Sequence, residues 1–403
     1  MKTDVLIIGA GPAGSVAGAM LARAGRKVLC LEAQVFPRFQ IGESLLPRCN
    51  DILEEAGLLD AVKERNFMPK RAALFLQREE RERFSFAEMF PGQRPAAMQV
   101  PREDFDQTLA TAAAKLGVDI QFQKKVESVA FHGTHSVAQV TDVETGEKSV
   151  VEAKFVLDCS GYGRVLPKLL NLEKAPQLGP RCAMFSHFEG DVRPEGQDEG
   201  DIWVLIHPRG VWMWIIPFSN GRTSVGVVGD RDLLESAGDN DHDRLLAMIA
   251  DDPNAEARLR NARVVLKTSR LEGWSSAVTH FHGPGWALTG NASEFLDPVF
   301  SSGVTLALES AHRAAKLVDR QLNGEAVDWD AEYTVVMGRA VGVFRSFVRT
   351  WYSGELQKVL MHKGKNLKVK QAITAVLGGY VLDERNPFVR NADSMLNAAL
   401  RFV

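Results

Sequence analysis

The chain has 403 residues, 45% hydrophobic and 25% charged, a composition typical of a globular protein with a large shared core. A formal net charge of −3 gives no electrostatic basis for binding nucleic acid or an acidic membrane surface. No stretch reaches the roughly 20 apolar residues of a membrane-spanning helix, so neither an integral membrane segment nor a secretory leader is expected. The four cysteines form no CxxC pair, which predicts reduced thiols in a cytoplasmic protein and no metal site.

The first predicted elements are a strand, a glycine-rich turn, a helix and a second strand that ends at Glu32. The turn follows the G-x-G-x-x-G pattern, with Gly9, Gly11, Pro12, Ala13 and Gly14. In such a unit Gly9 permits the tight turn, Gly11 lets the backbone approach a pyrophosphate, and Gly14 lets the helix pack against the sheet. The acidic residue accepts hydrogen bonds from ribose hydroxyls. The complete unit predicts a dinucleotide site; the alternative is a glycine turn without a nucleotide.

The next segment, Phe36–Pro47, contains two prolines and a glycine and is predicted to be a loop before the helix 48–56. Arg38 and Glu43 in this loop form either a surface ion pair or part of the lining of the nucleotide crevice. Lys70 lies at the edge of a predicted strand, where a lysine is usually a solvated charge.

Further along, an alanine-rich helix is predicted over 107–116, just after Arg102, and a strand follows at 125–129, around Val126. A buried strand at 155–158 leads into a turn that contains Gly161. From about 180 to 270, alternating patterns predict strands of a second, antiparallel sheet. One of them places Trp212, Trp214 and Ile216 on one face, either as a core face or as the wall of an aromatic pocket.

After a strand that ends at Gly290 and Asn291, Asp297 opens a loop before a helix predicted over 305–321. Ser302 and Gly303 therefore place backbone N–H groups at a helix start, which can bind an anion, unless the serine is only a cap. Residues 328–403 are predicted to be helical and to cover the mouth of the sheet.

Only one G-x-G-x-x-G unit is present, so the sequence predicts a single resident FAD. The predicted fold class is α/β, a Rossmann-type FAD-binding domain with an inserted antiparallel sheet and C-terminal helices. The predicted FAD-binding segments are 1–75, 101–180 and 271–325. The predicted substrate-domain segments are 76–100 and 181–270, and the C-terminal helical region is 326–403.

Three motifs carry a family resemblance. Residues 36–47 match F-P-R-x-x-I-G-E-S-L-L-P, residues 212–217 match W-x-W-x-I-P, and residues 295–303 end in D-P-V-F-S-S-G. On these motifs the chain resembles the flavin-dependent halogenases, especially those that act on carrier-bound aromatics. They form a branch of the superfamily of para-hydroxybenzoate hydroxylase and geranylgeranyl reductase. The resemblance covers about residues 1–321.

The resemblance implies that a separate NAD(P)H flavin reductase supplies reduced FAD, which with O2 and chloride or bromide gives hypohalous acid for an aromatic substrate of secondary metabolism. It implies Lys70, Trp212 and Trp214 as catalytic residues and Ser302 and Gly303 as halide ligands. Beyond the glycine turn, the implied FAD contacts are Glu32, Arg38, Ile41, Gly42, Glu43, Ser44, Arg102 (in an R-x-x-F-D motif), Val126, Gly161, Asn291, Asp297, Ser302, Gly303 and Val304.

A carboxylate that stabilises charge on the ring is assigned provisionally to Glu294 or Glu309. The sequence departs from the family at Asn291, where a charged aspartate is usual, and at Ala72, where a glycine is usual. Two alternatives stay open. One is an FAD monooxygenase or dehydrogenase without halogenating activity, and the other is a non-catalytic flavin-binding protein.

Overall fold

The computed structural model describes residues 1–402. Its strands are β1 (Lys2–Ile8), β2 (Val28–Leu31), β3 (Met68–Lys70), β4 (Ala72–Gln77), β5 (Glu80–Ser85), β6 (Ala97–Gln99), β7 (Asp119–Gln121), β8 (Lys124–Phe131), β9 (Ser136–Asp142), β10 (Lys148–Asp158), β11 (Glu173–Lys174), β12 (Cys182–Glu189), β13 (Ile202–Ile206), β14 (Trp212–Pro217), β15 (Arg222–Gly229), β16 (Arg263–Val264), β17 (Ser269–Glu272), β18 (Ala277–Val278), β19 (His282–Gly283) and β20 (Trp286–Leu288).

The helices follow the same chain order. They are α1 (Pro12–Arg23), α2 (Pro47–Ala56), α3 (Leu59–Lys63), α4 (Arg102–Lys115), α5 (Val165–Leu169), α6 (Arg231–Glu235), α7 (Asp241–Asp251), α8 (Pro253–Leu259), α9 (Ser302–Leu322), α10 (Val335–Tyr352), α11 (Glu355–Met361), α12 (Leu367–Leu377), α13 (Pro387–Arg390) and α14 (Ala392–Leu400).

The first sheet has a parallel centre in the order β20-β10-β1-β2-β7, with β19 antiparallel at one edge. The hairpin β8–β9 extends it by pairing with the first half of β10. Ile8 pairs with Asp158, and Asp158 pairs with Leu288. Because these strands are parallel, the turns that follow β1, β10 and β20 meet at one edge of the sheet, where α/β folds bind their ligands.

The second sheet runs in the order β16-β12-β15-β14-β13-β4-β5, with β17 paired to β12. Its pairs are antiparallel except for β13 with β4. Trp212, Trp214 and Ile216 of β14 join the core between the two sheets, whereas Met213 and Ile215 pack on the outer face with α7 and α8. This division follows the alternation of side chains along a strand.

The helices α1 and α9 pack against each other beside the first sheet, and α10 packs on α11, α13 and α14. The predicted α/β class with an antiparallel sheet and C-terminal helices is confirmed. No helix within residues 1–402 is long and apolar enough to cross a membrane. The proposed segment boundaries stay a prediction.

Some predicted elements differ in their bounds. The helix predicted to begin at residue 107 begins at Arg102, because Pro101 supplies its N-cap and Glu103 and Asp104 lie in its first turn. The strand predicted over 155–158 is the end of the longer β10, whose first half pairs with β9.

Candidate functional site: a cavity between the two sheets

A cavity of about 440 Å³ lies between the carboxyl edge of the first sheet and the inner face of the second. Most of the predicted cofactor residues line it. They are Gly9, Gly11, Pro12, Ala13, Glu32, Arg38, Ile41, Gly42, Glu43, Ser44, Arg102, Val126, Gly161, Asn291, Gly303 and Val304. The predicted aromatic pair Trp212 and Trp214 lines it as well, so segments more than 200 residues apart in sequence share one site.

The glycine turn forms one end of the cavity. Gly9 has a φ of +98°, and a Cβ there would lie 2.7 Å from the carbonyl oxygen of Cys159. A Cβ on Gly14 would lie 1.9 Å from the carbonyl oxygen of Gly9, so Gly14 is required by the turn itself. At Gly11 the nearest atom to such a Cβ is a guanidinium nitrogen of Arg38, 3.5 Å away. The space beside Gly11 is therefore open, because no protein backbone atom lies within 4 Å of the Cβ position.

Helix α1 directs its amino end at this space. Gly11 is its N-cap and has no side chain, so no side chain caps the first-turn N–H groups. These groups and the helix dipole favour a phosphate. The residues present thus fit the pyrophosphate of a dinucleotide.

Glu32 lies at the end of β2 and is 7% exposed. Its Oε2 accepts a hydrogen bond from the Ala10 N–H at 2.9 Å, and its Oε1 accepts one from the Gln34 N–H at 3.0 Å. The carboxylate therefore braces the glycine turn while it lines the cavity. Each carboxylate oxygen has a second lone pair, which leaves capacity for ribose hydroxyls.

The interpretation of Arg38 and Glu43 as a surface ion pair is wrong. Arg38 Nη1 lies 3.2 Å from a carboxylate oxygen of Asp106, which also holds Arg102 through two hydrogen bonds of 2.7 and 3.0 Å. Asp106 thus fixes both cavity-lining guanidinium groups. Sequence reasoning did not assign it a role, although it stands four residues after Arg102, the spacing of an ion pair on one helix face.

Glu43 points to the second sheet instead. Its Oε1 lies 2.8 Å from Nε2 of His187 on β12, while its Oε2 is buried without a hydrogen-bond partner in the protein. His187 is 3% exposed and packs edge-on against Phe39 and Phe218. A lone histidine in an alternating strand carries no sequence signal for this contact.

The aromatic wall is formed by Trp212 and Trp214, whose ring centroids are 5.8 Å apart. Phe185 packs against Trp214 at 5.9 Å and also lines the cavity. The indole of Trp214 donates to Ser224 Oγ at 3.0 Å, and a Cβ on Gly226 would lie 2.2 Å from that indole. The two alternatives for these tryptophans, a core face and a pocket wall, are both correct, because both indoles are buried and both line the cavity.

Lys70 is 1% exposed, so the expectation of a solvated charge is wrong. Its Nζ donates to the carbonyl oxygen of Leu45 at 3.0 Å and lies 5.6 Å from the centroid of the Phe86 ring. Burial lowers the pKa of Lys70 to about 7, although Cys49 and Asp201 act in the opposite direction. Its partner Leu45 directly follows the cavity-lining residue Ser44 in the chain, and Lys70 itself is not part of the lining.

The loop before α9 closes the cavity on another side. Ser301 has a φ of +56° and is the N-cap of α9, and Gly303 in its first turn lines the cavity. A Cβ on Gly303 would lie 2.8 Å from the Phe295 ring. Ser302 is buried at the start of the helix, outside the lining.

Asp297 is also buried outside the lining, at 2% exposure. One of its oxygens accepts the Val299 N–H at 3.0 Å, and the other accepts the hydroxyl of Tyr352 at 2.9 Å. Burial raises the pKa of Asp297 to about 6 against these hydrogen bonds and the charge of Arg181.

The two carboxylates assigned provisionally to ring stabilisation are engaged elsewhere. Glu309 lies 2.9 Å from Nε of Arg48, and Glu294 pairs with Arg345. Neither residue lines the cavity. Within residues 1–402 no group of three or more histidine, cysteine, aspartate or glutamate side chains is arranged to hold a metal ion.

Comparison with known proteins identifies the class. A family profile described as the FAD binding domain matches residues 2–333. Together with the fold and the cavity, this match makes the chain an FAD-binding flavoprotein. Within that class, the chain belongs to the family of flavin-dependent halogenases. It is 30% identical over 333 residues to the 1H-pyrrole-2-carbonyl-[peptidyl-carrier protein] brominase of Pseudoalteromonas luteoviolacea (strain 2ta16), covering 82% of this chain and 80% of the brominase. It is 32% identical to the flavin-dependent halogenase armH3 of Armillaria mellea, with 98% and 80% covered.

Solved structures share the fold, and a flavin-dependent halogenase is among them. A flavoprotein/dehydrogenase from Cytophaga hutchinsonii is 42% identical, with a TM-score of 0.96 and 100% and 98% of the two chains covered. The flavin-dependent brominase Bmp2 is 27% identical, with a TM-score of 0.86 and 100% and 99% covered. The predicted halogenase resemblance is thereby confirmed at the level of the family.

Proposed function

We propose that the protein is an FAD-dependent halogenase that uses reduced FAD, O2 and chloride or bromide on an aromatic substrate. The substrate is either a free small molecule or a group tethered to a carrier protein, as the name of the pyrrole brominase relative suggests for that enzyme. The observation that carries the proposal is the buried Lys70, whose Nζ donates to Leu45, the residue next to the cavity-lining Ser44. With only one dinucleotide motif in the sequence, NAD(P)H would act through a separate flavin reductase.

In this proposal the glycine turn and α1 hold the pyrophosphate of FAD, and Glu32 holds the ribose. Arg38 and Arg102, fixed by Asp106, supply positive charge along the cofactor. When bound and reduced, FAD would supply the oxidising equivalents from O2 that turn a halide ion into hypohalous acid. The N–H groups at the start of α9, at Ser302 and Gly303, would hold the halide, since a helix amino end favours an anion.

Lys70 then takes up the hypohalous acid. As an ammonium it would hold the acid by a hydrogen bond; as an amine it would form an N–halogen bond, with release of water. Because burial lowers the pKa of Lys70 to about 7, both forms are populated near neutral pH. Trp212 and Trp214 would form an aromatic wall that positions an aromatic ring and excludes water.

The test is incubation with FAD, a flavin reductase, NADH, bromide and a phenolic trap. The proposal expects brominated trap from the unaltered protein and none from Lys70→Met, with FAD binding unchanged. Lys365→Met is the matched control, because Lys365 is a second largely buried lysine whose Nζ lies 5.7 Å from a phenylalanine ring centroid. Bromination that survives Lys70→Met would contradict the assignment of the lysine.

A second candidate is an FAD monooxygenase or dehydrogenase without halogenating activity. It is favoured by the 42% identity to a chain described as a flavoprotein/dehydrogenase. The same incubation separates the two candidates, because hydroxylated or dehydrogenated product without brominated trap would support the second.

A further inference from the structure

A hydrogen-bonded chain joins three segments that are far apart in sequence. The indole Nε1 of Trp212 donates to the hydroxyl oxygen of Tyr352 at 3.1 Å, and that hydroxyl donates to Oδ2 of Asp297 at 2.9 Å. Trp212 belongs to the aromatic wall on β14, and Asp297 opens the loop before α9. Tyr352 is the last residue of α10 and lies beyond residues 2–333, which the family profile matches.

Each of these three hydrogen-bonded side chains is held in place. Trp212 is 2% exposed, Asp297 is 2% exposed, and the Arg181 guanidinium lies 4.2 Å from the centroid of the Tyr352 ring. The titratable or charged groups that face Asp297 are Arg181, Tyr352 and Tyr162, and the indole of Trp274 also contacts it. The Tyr352 hydroxyl therefore connects the aromatic wall, at Trp212, to the loop before α9, at Asp297.

We propose that Tyr352 is a positioning residue that fixes Trp212 and Asp297 relative to each other, so that the C-terminal helix completes the FAD site. This inference rests on the proposed assignment of the cavity to FAD and is independent of halogenation. By donating to the Asp297 carboxylate, the hydroxyl stabilises the ionised form of that group. The ionised form in turn accepts the Val299 N–H and holds the loop that carries Gly303.

The experiment measures the dissociation constant of FAD between pH 5 and 8.5 for the unaltered protein and for Tyr352→Phe. Loss of the hydroxyl removes a hydrogen bond that stabilises the ionised carboxylate of Asp297. The pH midpoint of FAD binding, at which the affinity is half of its maximum, should therefore rise by about one unit. Binding should be about threefold weaker than in the unaltered protein at pH 6.5 and nearly unchanged at pH 8. A merely structural loss would lower the affinity equally at every pH.

Ser224→Ala is the matched control. It removes the hydrogen-bond partner of the neighbouring indole, Trp214, on the same strand, but it has no connection to Asp297. Its pH midpoint should equal that of the unaltered protein. An equal shift in both variants, or no shift in Tyr352→Phe, would overturn the role of Tyr352.

Two further measurements distinguish a failure of the role of Tyr352 from a failure of the assignment of the cavity to FAD. If Tyr352→Phe does not fold, Trp212→Phe keeps the tyrosine and should shift the midpoint in the same direction by a smaller amount, because the indole polarises the hydroxyl. An unshifted Trp212→Phe would then overturn the proposal. Failure of the unaltered protein to bind FAD would instead overturn the assignment of the cavity, whatever its halogenating activity.

Discussion

The two ends of the cavity are built from different materials. The nucleotide end consists of backbone: a glycine turn, uncapped N–H groups and a carboxylate that braces them. The far end consists of side chains held by partners distant in sequence, such as Trp212 by Tyr352, 140 residues away, and His187 by Glu43, 144 residues away. Backbone sites depend on whether a Cβ fits, whereas the far end depends on packing and burial. Substitutions at the two ends should therefore have different effects on stability, FAD binding and product yield.

Gly14→Ala should have the largest effect on the free energy of unfolding. The added Cβ would lie 1.9 Å from the carbonyl oxygen of Gly9, so the turn and α1 must separate. We expect a loss of more than about 3 kcal/mol, or an insoluble protein, measured by urea unfolding. Gly342→Ala on α10 is the control, because nothing lies within 4 Å of its Cβ and alanine favours a helix. A stable Gly14→Ala variant would refute the tight packing at this turn.

Gly226→Ala tests the side-chain end. Its Cβ would lie 2.2 Å from the Trp214 indole, which is a movable side chain and not backbone. The indole should shift into the cavity at a cost of about 1–3 kcal/mol, typical of an overpacked core. Urea unfolding gives the cost, and a changed product yield with the phenolic trap would report the displaced wall. Unchanged stability and unchanged yield together would show that the wall tolerates the shift.

This contrast explains what the sequence could predict. The glycine spacing, the acid at Glu32 and the face shared by Trp212 and Trp214 are local patterns with a fixed period, so the fold class and the nucleotide end followed from them. Of the two alternatives left open for Arg38 and Glu43, both residues line the cavity, and the surface ion pair is wrong because each residue contacts a different element: Asp106 on α4 and His187 on β12. The burial of Lys70 was missed for the same reason. A short strand that contains a proline predicts an exposed edge strand, but the loop at Leu45 and the Phe86 ring cover the Lys70 side chain.

Lys70→Met should raise stability, in contrast to the two glycine substitutions. Burial lowers the pKa of Lys70 from 10.5 to about 7, so the unfolded chain binds more protons between these values. The unaltered protein therefore gains stability as pH rises from 7 to 10.5, and it bears the largest penalty at or below pH 7. Methionine removes this penalty, with a gain of about 1–2 kcal/mol at pH 7.

The measurement is urea unfolding of both proteins at pH 7 and at pH 9.5. The difference between them should shrink at the higher pH, where the lysine is neutral in the fold. Lys365→Met, which leaves Glu82 with one lysine partner fewer, should not stabilise. A difference that is the same at both pH values would mean that the buried ammonium carries no such penalty.

Gly11→Ala should have the smallest effect on unfolding and still remove the cofactor. The nearest atom to its Cβ is the Arg38 guanidinium at 3.5 Å, and the φ of Gly11 is −65°, which alanine adopts without strain. We therefore expect less than about 0.5 kcal/mol of change in the free energy of unfolding of the FAD-free protein. The methyl group projects into the space reserved for the pyrophosphate, so FAD affinity, measured by flavin fluorescence, should fall at least tenfold. Normal FAD binding by a normally folded Gly11→Ala protein would place the pyrophosphate elsewhere and break the distinction between the two ends.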